Sequence, residues 1–159
     1  MKDLIIISGA PGSGKTTISK LLHRQLNFPP IVDFGNIRAM HLDEKWSNQN
    51  KEEEKMSFEN LLFILRNYFR HGYKNVIVND LLDFRVQEIP RRFRSLDFLI
   101  VSLIVDDKEL KKRVLGERDS GYKDVPSALE WNRKLMERKP VRNNSEYPLV
   151  SRENSTKNS

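Results

Sequence analysis

The chain has 159 residues, a length that suits one domain with one substantial core. Apolar residues make up 38% and charged residues 31%, the balance of a globular protein, and the absence of cysteine excludes disulfides and thiolate metal sites. The formal net charge of +6 suits anionic ligands such as phosphates, and it permits nucleic acid without requiring it.

The sequence shows no membrane-spanning or export segment. The longest apolar run, Phe98 to Val105, contains Ser102 and is too short to cross a bilayer. Residues 1–3 lead directly into a strand-like segment and lack the pattern of a signal peptide. We therefore expect a cytoplasmic protein with a single domain over residues 1–150 and a disordered, Asn/Ser-rich tail at 151–159.

The first third of the chain predicts two strands around a helix. The run Leu4–Ile7 is continuously apolar, which is typical of a buried parallel strand. A glycine-rich turn follows, and then a helix that ends near Asn27. Its predicted buried face consists of Ile18, Leu21, Leu22 and Leu26. Residues 30–33 form a short second strand, and residues 36–50 are polar and predicted to be irregular.

The next segments continue the alternation of helices and strands. A long helix is predicted over residues 52–71, ended by Gly72 in a left-handed conformation. Its broad apolar face contains Leu61, Leu62, Ile64, Leu65, Tyr68 and Phe69. A third strand at 75–80, a short helix at 85–94 and a fourth strand at 99–105 follow.

The last segments predict two helices and a weakly indicated strand. Asp106 or Asp107 caps a helix that runs to about residue 118, and Asp124 caps another that runs to about residue 138. A weaker pattern indicates a fifth strand at residues 146–150. Strands that alternate with helices predict a parallel sheet with right-handed crossovers.

The strongest motif lies between the first strand and the first helix. Residues 9–16 read GAPGSGKT, a complete G-x-x-x-x-G-K-[ST] sequence. Its glycines allow backbone N–H groups to turn inward around a phosphate, and the following helix adds its positive N-terminal end. The predicted nucleotide-binding residues are Gly9, Ala10, Pro11, Gly12, Ser13, Gly14, Lys15, Thr16 and Thr17. Lys15 can reach the β- and γ-phosphates, and the Thr16 hydroxyl is placed to bind Mg²⁺.

Other signatures narrow the class of nucleotide-binding protein. The guanine-reading sequence Asn-Lys-x-Asp of regulatory GTPases and the Leu-Ser-Gly-Gly type of transporter signature are both absent from the sequence. The length is also below that expected of a typical AAA+ module with its lid domain. A compact enzyme with its own acceptor pocket and lid is the remaining prediction.

Several of these features together resemble the small-molecule P-loop kinases, which include the adenylate, shikimate and gluconate kinases and chloramphenicol phosphotransferase. The features are Gly9–Thr17, Asp33 at the end of the second strand, the long helix before residues 76–80, and arginines before a glycine break. The resemblance covers about residues 1–140. It implies a three-layer α/β/α fold with a parallel five-stranded sheet in the order 2-3-1-4-5. It also implies acceptor contacts after the second and third strands and an arginine-bearing lid after the fourth.

The sequence departs from individual members of this group at one position. Shikimate kinases have a second acidic residue two positions after the first, where this chain has Gly35. Polynucleotide kinases have an Asp three residues before an Arg in this segment, and three residues before Arg38 is again Gly35. Such kinases also end in a helix after the fifth strand, whereas this chain ends in Asn/Ser-rich sequence and is therefore expected to be shortened.

Two carboxylates are the candidate catalytic groups. Asp33 and Asp80 each follow a predicted parallel strand, at the edge where open α/β sheets bind ligands. Either residue can accept the proton of an acceptor hydroxyl or hold Mg²⁺, and the sequence leaves open which does which. Asp80 is predicted as a metal ligand together with Thr16. The structural alternative for Asp33 is a helix cap, and Asp83 is a weaker third candidate.

Arginines supply the remaining candidates. Arg38 and Arg85 follow the two acidic strand ends and are predicted to contact the acceptor, although a surface role fits each equally well. Arg113 and Arg118 are predicted to close over the transferred phosphoryl group, with Gly121 as a hinge. The alternative for Arg113 is a surface ion pair with Glu117. His41, Trp46 and the basic cluster at residues 91–94 are predicted to be structural or solvated.

The sequence thus predicts in-line transfer of the γ-phosphoryl group from ATP with Mg²⁺ to a small-molecule hydroxyl or phosphate acceptor. Lys15, Asp33, Asp80 and Arg118 are the predicted catalytic residues, and Arg113 also contacts the nucleotide. Two alternatives stay open: an RNA- or DNA-end kinase, with nucleic acid as a possible but disfavoured partner, and a non-catalytic nucleotide-binding regulator. The acceptor and the oligomeric state are not predicted.

Overall fold

The computed structural model of the protein describes residues 1–40, 50–116 and 122–138. Four strands run through this part of the chain: β1 (Leu4–Gly9), β2 (Ile31–Asp33), β3 (Val76–Asn79) and β4 (Phe98–Leu103). Six helices accompany them there: α1 (Lys15–Gln25), α2 (Phe34–Ala39), α3 (Lys51–Arg70), α4 (Asp83–Arg92), α5 (Asp107–Leu115) and α6 (Val125–Glu137). None of these described helices combines the length and the apolar character needed to cross a membrane.

The strands form one parallel sheet in the order β2-β3-β1-β4. In the centre, Ile6 of β1 lies between Val78 of β3 and Ile100 of β4. The predicted α/β class and strand order are therefore confirmed for these four strands. The predicted fifth strand at residues 146–150 and the tail at 151–159 lie outside the described residues.

The central strand β1 contributes to both faces of the sheet, since successive side chains of a strand point in opposite directions. Leu4 and Ile6 pack into a core with Leu61 and Leu65 of α3. Ile5 and Ile7 pack on the opposite face with Ile18 and other residues of α1. All six residues of β1 are buried, which explains its continuous apolar run. Helices thus cover both faces of the sheet, and the predicted three layers are confirmed.

A smaller core joins the end of the sheet to the last two helices. Ala10 is fully buried in a cluster with Leu110 and Val114 of α5 and Ala128 of α6. Asn132 of α6, also fully buried, holds the backbone just after β4. Its Nδ2 donates to the carbonyl oxygen of Val105 at 2.7 Å, and its Oδ1 accepts from the Val105 N–H at 3.1 Å. These contacts fix α6 against the edge of the sheet at which β1 ends.

Helix ends follow the predicted capping residues closely. Asp106 caps α5 by accepting from two backbone N–H groups, and Asp124 caps α6 by accepting from the Ser127 N–H at 3.1 Å. Gly72, just after α3, has φ 78°, the left-handed conformation expected of a residue that ends a helix. The apolar face predicted for α3 is confirmed, since its six residues are buried in the main core or packed against it.

Two local predictions were wrong. Residues 36–39 are not irregular but belong to α2, because Asp33 caps that helix and Phe34 and Ile37 bury their side chains in the core. Leu21 was assigned to the buried face of α1, yet its relative exposure is 41%. Ile18, Leu22 and Leu26 are enough to cover the sheet on that side.

A buried ion-pair network joins α3 to α4. Arg85 donates from Nε and Nη2 to the two carboxylate oxygens of Glu54, at 2.9 and 2.7 Å, and from Nη1 to Glu88 at 2.6 Å. Its guanidinium carbon lies 4.2 Å from the centre of the Phe58 ring. Hydrogen bonding to Glu54 raises the pKa of Arg85. Burial alone would raise the pKa of Glu88, but hydrogen bonds from Arg92 and Arg85 outweigh burial and lower it.

The substitution Asn132→Ala should lower the free energy of unfolding by about 2–3 kcal/mol, because the partly buried N–H and carbonyl of Val105 lose their partner, the fully buried Asn132 side chain. Urea denaturation of the full chain measures this change. Arg133→Ala is the matched control, since its exposed ion pair with Glu137 is worth less than about 1 kcal/mol. Equal losses for the two variants would contradict the role assigned to Asn132.

The substitution Arg85→Ala should lower the free energy of unfolding at pH 7 by about 3 kcal/mol, because it leaves the buried Glu54 carboxylate unpaired. Because folding lowers the pKa of Glu88, its carboxylate contributes its full stabilisation above its ordinary pKa of 4.5. That stabilisation is lost as the pH falls through the lower pKa of the folded state. The difference between wild type and variant should therefore shrink below pH 4.5. Arg92→Ala, at the exposed end of the network, should cost less than about 1 kcal/mol. A constant difference across this pH range would contradict the coupling of Arg85 to Glu88.

Candidate functional site

The predicted phosphate loop is a compact turn between β1 and α1. The Ser13 N–H donates to the carbonyl of Ala10 at 3.0 Å, which closes the turn. Gly12 and Gly14 have φ values of 89° and 97°, which glycine adopts without strain. At Gly9 the constraint is space, because an added Cβ would overlap Ser13 Oγ and lie 3.2 Å from the Cβ of Leu103. The loop therefore needs glycine at these positions for two different physical reasons.

Lys15 lies over this loop. Its Nζ donates to the carbonyl oxygens of Gly9 at 2.9 Å and Ala10 at 3.1 Å. The same ammonium lies 3.9 Å from Oδ1 of Asp80. Lys15 thus places one positive charge between the phosphate loop and the end of β3.

The polar groups of the loop are suited to bind a nucleotide polyphosphate. Ser13 Oγ is buried and has no hydrogen-bond partner among the residues that the structure describes, so a polar atom inside the loop is available to a ligand. Thr16 and Thr17, in the first turn of α1, are exposed. Backbone amides, a hydroxyl group and an ammonium that meet at a helix N-terminus suit the oxygens of a phosphate chain.

The protein alone offers few ligands for a metal ion at this place. Among the described residues, no group of three or more histidine and acidic side chains could hold a metal. Mg²⁺ commonly takes only one or two carboxylates and completes its shell with substrate phosphates and water. The Thr16 hydroxyl and the Asp80 carboxylate fit that pattern, with the nucleotide supplying the remaining oxygens.

The two candidate carboxylates meet beside Gly35. A Cβ built on Gly35 would overlap Oδ2 of Asp80 and would lie 3.0 Å from Oδ1 of Asp33. Asp33 also caps α2, since its Oδ1 accepts from the Asn36 N–H at 3.2 Å. Asp33 therefore has the helix-capping role that the sequence allowed as an alternative. Capping does not exclude a second role in binding or catalysis. The fold brings together two acidic residues that are 47 positions apart in the sequence.

Asp80 has an unusual backbone conformation. Its φ of 60° lies in the left-handed region, which costs a residue with a side chain about 1 kcal/mol or more. The buried neighbour Asn79 anchors the end of β3 to α1 by donating from Nδ2 to Ser19 Oγ at 2.9 Å. Ser19 Oγ in turn donates to the carbonyl of Lys15 at 2.8 Å. A chain of hydrogen bonds thus joins the residue before Asp80 to the residue that lies over the phosphate loop.

The candidate arginines are spread more widely. Arg38 is half-buried on α2, after Asp33 and Gly35. Arg85 is engaged with Glu54 and Glu88, so all three of its nitrogens already donate to carboxylates. Arg113 lies on the exposed side of α5 and pairs with Glu109 at 2.7 Å, four residues before it. Asp83, the weaker candidate acid, forms a bidentate pair with Arg138.

Several sequence predictions fall outside the described residues. These are the lid candidate Arg118, its alternative partner Glu117, the hinge Gly121, and the residues His41 and Trp46. The sequence analysis missed Ser19 and Asn79, which join the end of β3 to α1 beside the candidate site, and Glu54, the partner of the candidate residue Arg85. Asn79 immediately precedes Asp80 at the end of an apolar strand, and that position was the available signal. Nothing local in the sequence points to Ser19 or Glu54.

Known proteins resemble this chain in sequence. The family model described as an AAA domain matches residues 5–137. A provisionally named adenylate kinase from Thermococcus onnurineus (strain NA1) is 26% identical over 136 residues, which cover 84% of this chain and 73% of that protein.

Solved structures share the fold at low sequence identity. A sugar kinase from Janibacter sp. HTCC2649 has a TM-score of 0.66 at 12% identity, covering 94% of this chain and 85% of that chain. A chain of the Pnkp1/Rnl/Hen1 RNA repair complex has a TM-score of 0.58 at 21% identity, covering 98% of this chain and 53% of that one. The family match spans well over half of the sequence, and so the protein belongs to the AAA domain family of P-loop proteins and has the fold of a small P-loop kinase.

Proposed function

We propose that this protein is an ATP-dependent phosphotransferase that acts on a small-molecule hydroxyl or phosphate acceptor. The observation that carries the proposal is the meeting of three charged groups beside the phosphate loop. The Lys15 ammonium lies 3.9 Å from the Asp80 carboxylate, and Asp80 and Asp33 approach the same point above Gly35. One carboxylate is enough to help bind Mg²⁺, so the second is available as a base for the acceptor hydroxyl.

In this proposal, Gly9–Thr17 hold the phosphate chain of ATP. The backbone N–H groups of the loop donate to phosphate oxygens, and Lys15 exchanges its two carbonyl partners for oxygens of the transferred group. Thr16 and either Asp80 or Asp33 would hold Mg²⁺, which would neutralise charge on the β- and γ-phosphates. Because the loop is already closed by the Ser13–Ala10 hydrogen bond, little ordering is needed on binding.

The acceptor lies between the ends of β2 and β3. One of Asp33 and Asp80 accepts a hydrogen bond from the acceptor hydroxyl and takes its proton as the oxygen attacks phosphorus in line with the leaving group. The other carboxylate completes the metal site. The cap bond from Asn36 N–H occupies one oxygen of Asp33 and leaves its second oxygen for this task.

The charges near the acceptor favour a hydroxyl group over a phosphate group. Two carboxylates repel an anionic acceptor, and Arg85 already donates to two glutamates. Arg38 is the arginine in the described chain that supports acceptor binding in this proposal. A role of Arg85 as an acceptor contact requires it to leave Glu54 or Glu88.

The lid assignment rests on the resemblance to small P-loop kinases. Arg113 and Arg118 are proposed to stabilise the charge of the transferred phosphoryl group, with Gly121 as the hinge. The helix α5 that carries Arg113 packs through Leu110 and Val114 on Ala10 of the phosphate loop.

An RNA- or DNA-end kinase is the second candidate. It is favoured by the net charge of +6 and by the shared fold with a chain of an RNA repair complex. An oligonucleotide acceptor would show affinity that falls steeply with salt, because binding releases counterions from the phosphates. Gly35, in place of the Asp of polynucleotide kinases, argues against this candidate. The expected cytoplasmic location fits either proposal.

The substitution Lys15→Ala should weaken ATP binding at least roughly tenfold, because it removes a charge-assisted contact to the phosphates. Titration calorimetry with ATP and MgCl₂ measures the change. Lys20→Ala, on the exposed side of the same helix, is the matched control and should bind as wild type. Equal affinities of wild type and Lys15→Ala would contradict the nucleotide site.

The substitutions Asp33→Asn and Asp80→Asn should each lower kcat by roughly 10²-fold or more, with ATP affinity in the absence of Mg²⁺ nearly unchanged. Turnover is measured as ADP formation with a panel of polyols, sugars, antibiotics, nucleosides, AMP and 5′-hydroxyl oligonucleotides. The variant that also needs more Mg²⁺ for half-maximal rate identifies the metal-binding carboxylate. A regulator without catalysis would give no turnover in the wild type and none for either variant to lose.

A further inference from the structure

We propose that Gly35 is a positioning residue that lets the Asp80 carboxylate reach the side of Asp33. The inference rests on the proposed function, in which these two carboxylates serve one acceptor. It concerns how the pair is assembled, and it assigns a role to the position at which the sequence departs from both shikimate and polynucleotide kinases. Glycine is present because the volume of a side chain at residue 35 is taken by the carboxylate of Asp80.

Local backbone conformation does not explain a glycine at this position. Gly35 is the second residue of α2, and it is absent from the residues with positive φ. Its helical conformation is open to any residue, and glycine lowers the stability of a helix relative to alanine. An unfavourable residue in the first turn of a six-residue helix indicates a steric reason for its presence.

Space provides that reason. A methyl group at residue 35 would overlap Oδ2 of Asp80, would lie 3.4 Å from its Cγ, and would lie 3.0 Å from Oδ1 of Asp33. Both carboxylates therefore border the empty position above the Gly35 Cα. The distance between Asp33 Oδ1 and Asp80 Cγ cannot exceed the 3.0 Å and 3.4 Å separations from this position taken together. The absent side chain is what leaves room for the Asp80 carboxylate at this position beside Asp33.

The backbone of Asp80 has little freedom to adjust. Asn79, directly before it, is buried and bound to Ser19, and Leu81, directly after it, is buried in the main core. The backbone of Asp80 is held in the left-handed region between these anchors. A methyl group at residue 35 is thus accommodated most readily by rotation of the Asp80 carboxylate away from Asp33.

Such a rotation has a specific consequence. It moves the Asp80 carboxylate relative to Asp33, and it alters the 3.9 Å approach of its Oδ1 to the Lys15 ammonium. Neither the sheet nor the phosphate loop needs to change, because the affected atoms are at the end of a side chain that is about half exposed. We therefore expect Gly35→Ala to impair phosphoryl transfer while it leaves the fold and the ATP affinity in the absence of Mg²⁺ intact.

The test compares Gly35→Ala with wild type in ADP formation, ATP affinity and thermal unfolding. The expected result is a loss of kcat of roughly tenfold or more. The ATP dissociation constant measured without Mg²⁺ should stay within about twofold of wild type, and the Tm should equal or exceed that of wild type, since alanine favours the helix. Ala39→Gly is the control for the stability of α2, because Ala39 is exposed on the same helix. It should lower the Tm and retain kcat.

A double-substitution cycle tests whether the effect acts through Asp80. In the Asp80→Ala background there is no carboxylate to displace, so adding Gly35→Ala should cause no further loss of kcat. If Gly35→Ala lowered kcat by the same factor in both backgrounds, the inference would be overturned, and the methyl group would instead contact the acceptor. A rise in the acceptor KM with unchanged kcat would overturn it in the same way.

A crystal structure of Gly35→Ala provides a readout that is independent of turnover. Displacement of the Asp80 carboxylate away from Asp33 supports the inference, even if wild type shows no activity with any acceptor and the kinase proposal fails. An Asp80 carboxylate that keeps its position beside Asp33 overturns the inference, even if wild type is an active kinase.

Discussion

Ile7, Asn79 and Asp33 lie side by side across the parallel strands β1, β3 and β2. Because parallel strands end at the same edge of a sheet, this register places the start of the phosphate loop, Asp80 and Asp33 at one edge. A shift of β3 by one residue would turn Asn79 away from Ser19 and move Asp80 relative to Lys15. The chemistry proposed here therefore depends on register, which the apolar residues of β1 and β3 fix by burial on both faces.

The site is built from residues that are each held for structural reasons as well. Asp33 caps α2, and Lys15 donates to loop carbonyls. Asp80 stays in a left-handed conformation, between a hydrogen-bonded asparagine and a buried leucine. Such double use reduces the motion of each charged group before a ligand binds, which is how an enzyme lowers the cost of ordering its reacting groups.

The sequence was sufficient to predict the parts of the molecule that local patterns determine. The continuous apolar strand β1, the phosphate loop and the cap Asp124 depend on neighbouring residues, and all three appear where they were expected. Contacts between distant residues were not predictable in the same way. Glu54 and Arg85 are 31 positions apart, and no local pattern assigns either as the partner of the other. Gly35 was noted only as a departure from relatives, because its closeness to Asp80 depends on how β2 and β3 end in space.

The charge balance around the two carboxylates bears on the choice between the candidate acceptors. A nucleotide monophosphate or an oligonucleotide end would bring negative charge toward Asp33 and Asp80, and it would need cations to compensate. Arg85 could serve only by giving up Glu88 or Glu54, and the buried carboxylate of Glu54 would be unpaired at a cost of several kcal/mol. An uncharged hydroxyl acceptor requires no such exchange, since the carboxylates themselves can accept its hydrogen bonds. Electrostatics thus argues for a neutral acceptor, even though a provisionally named adenylate kinase is among the relatives.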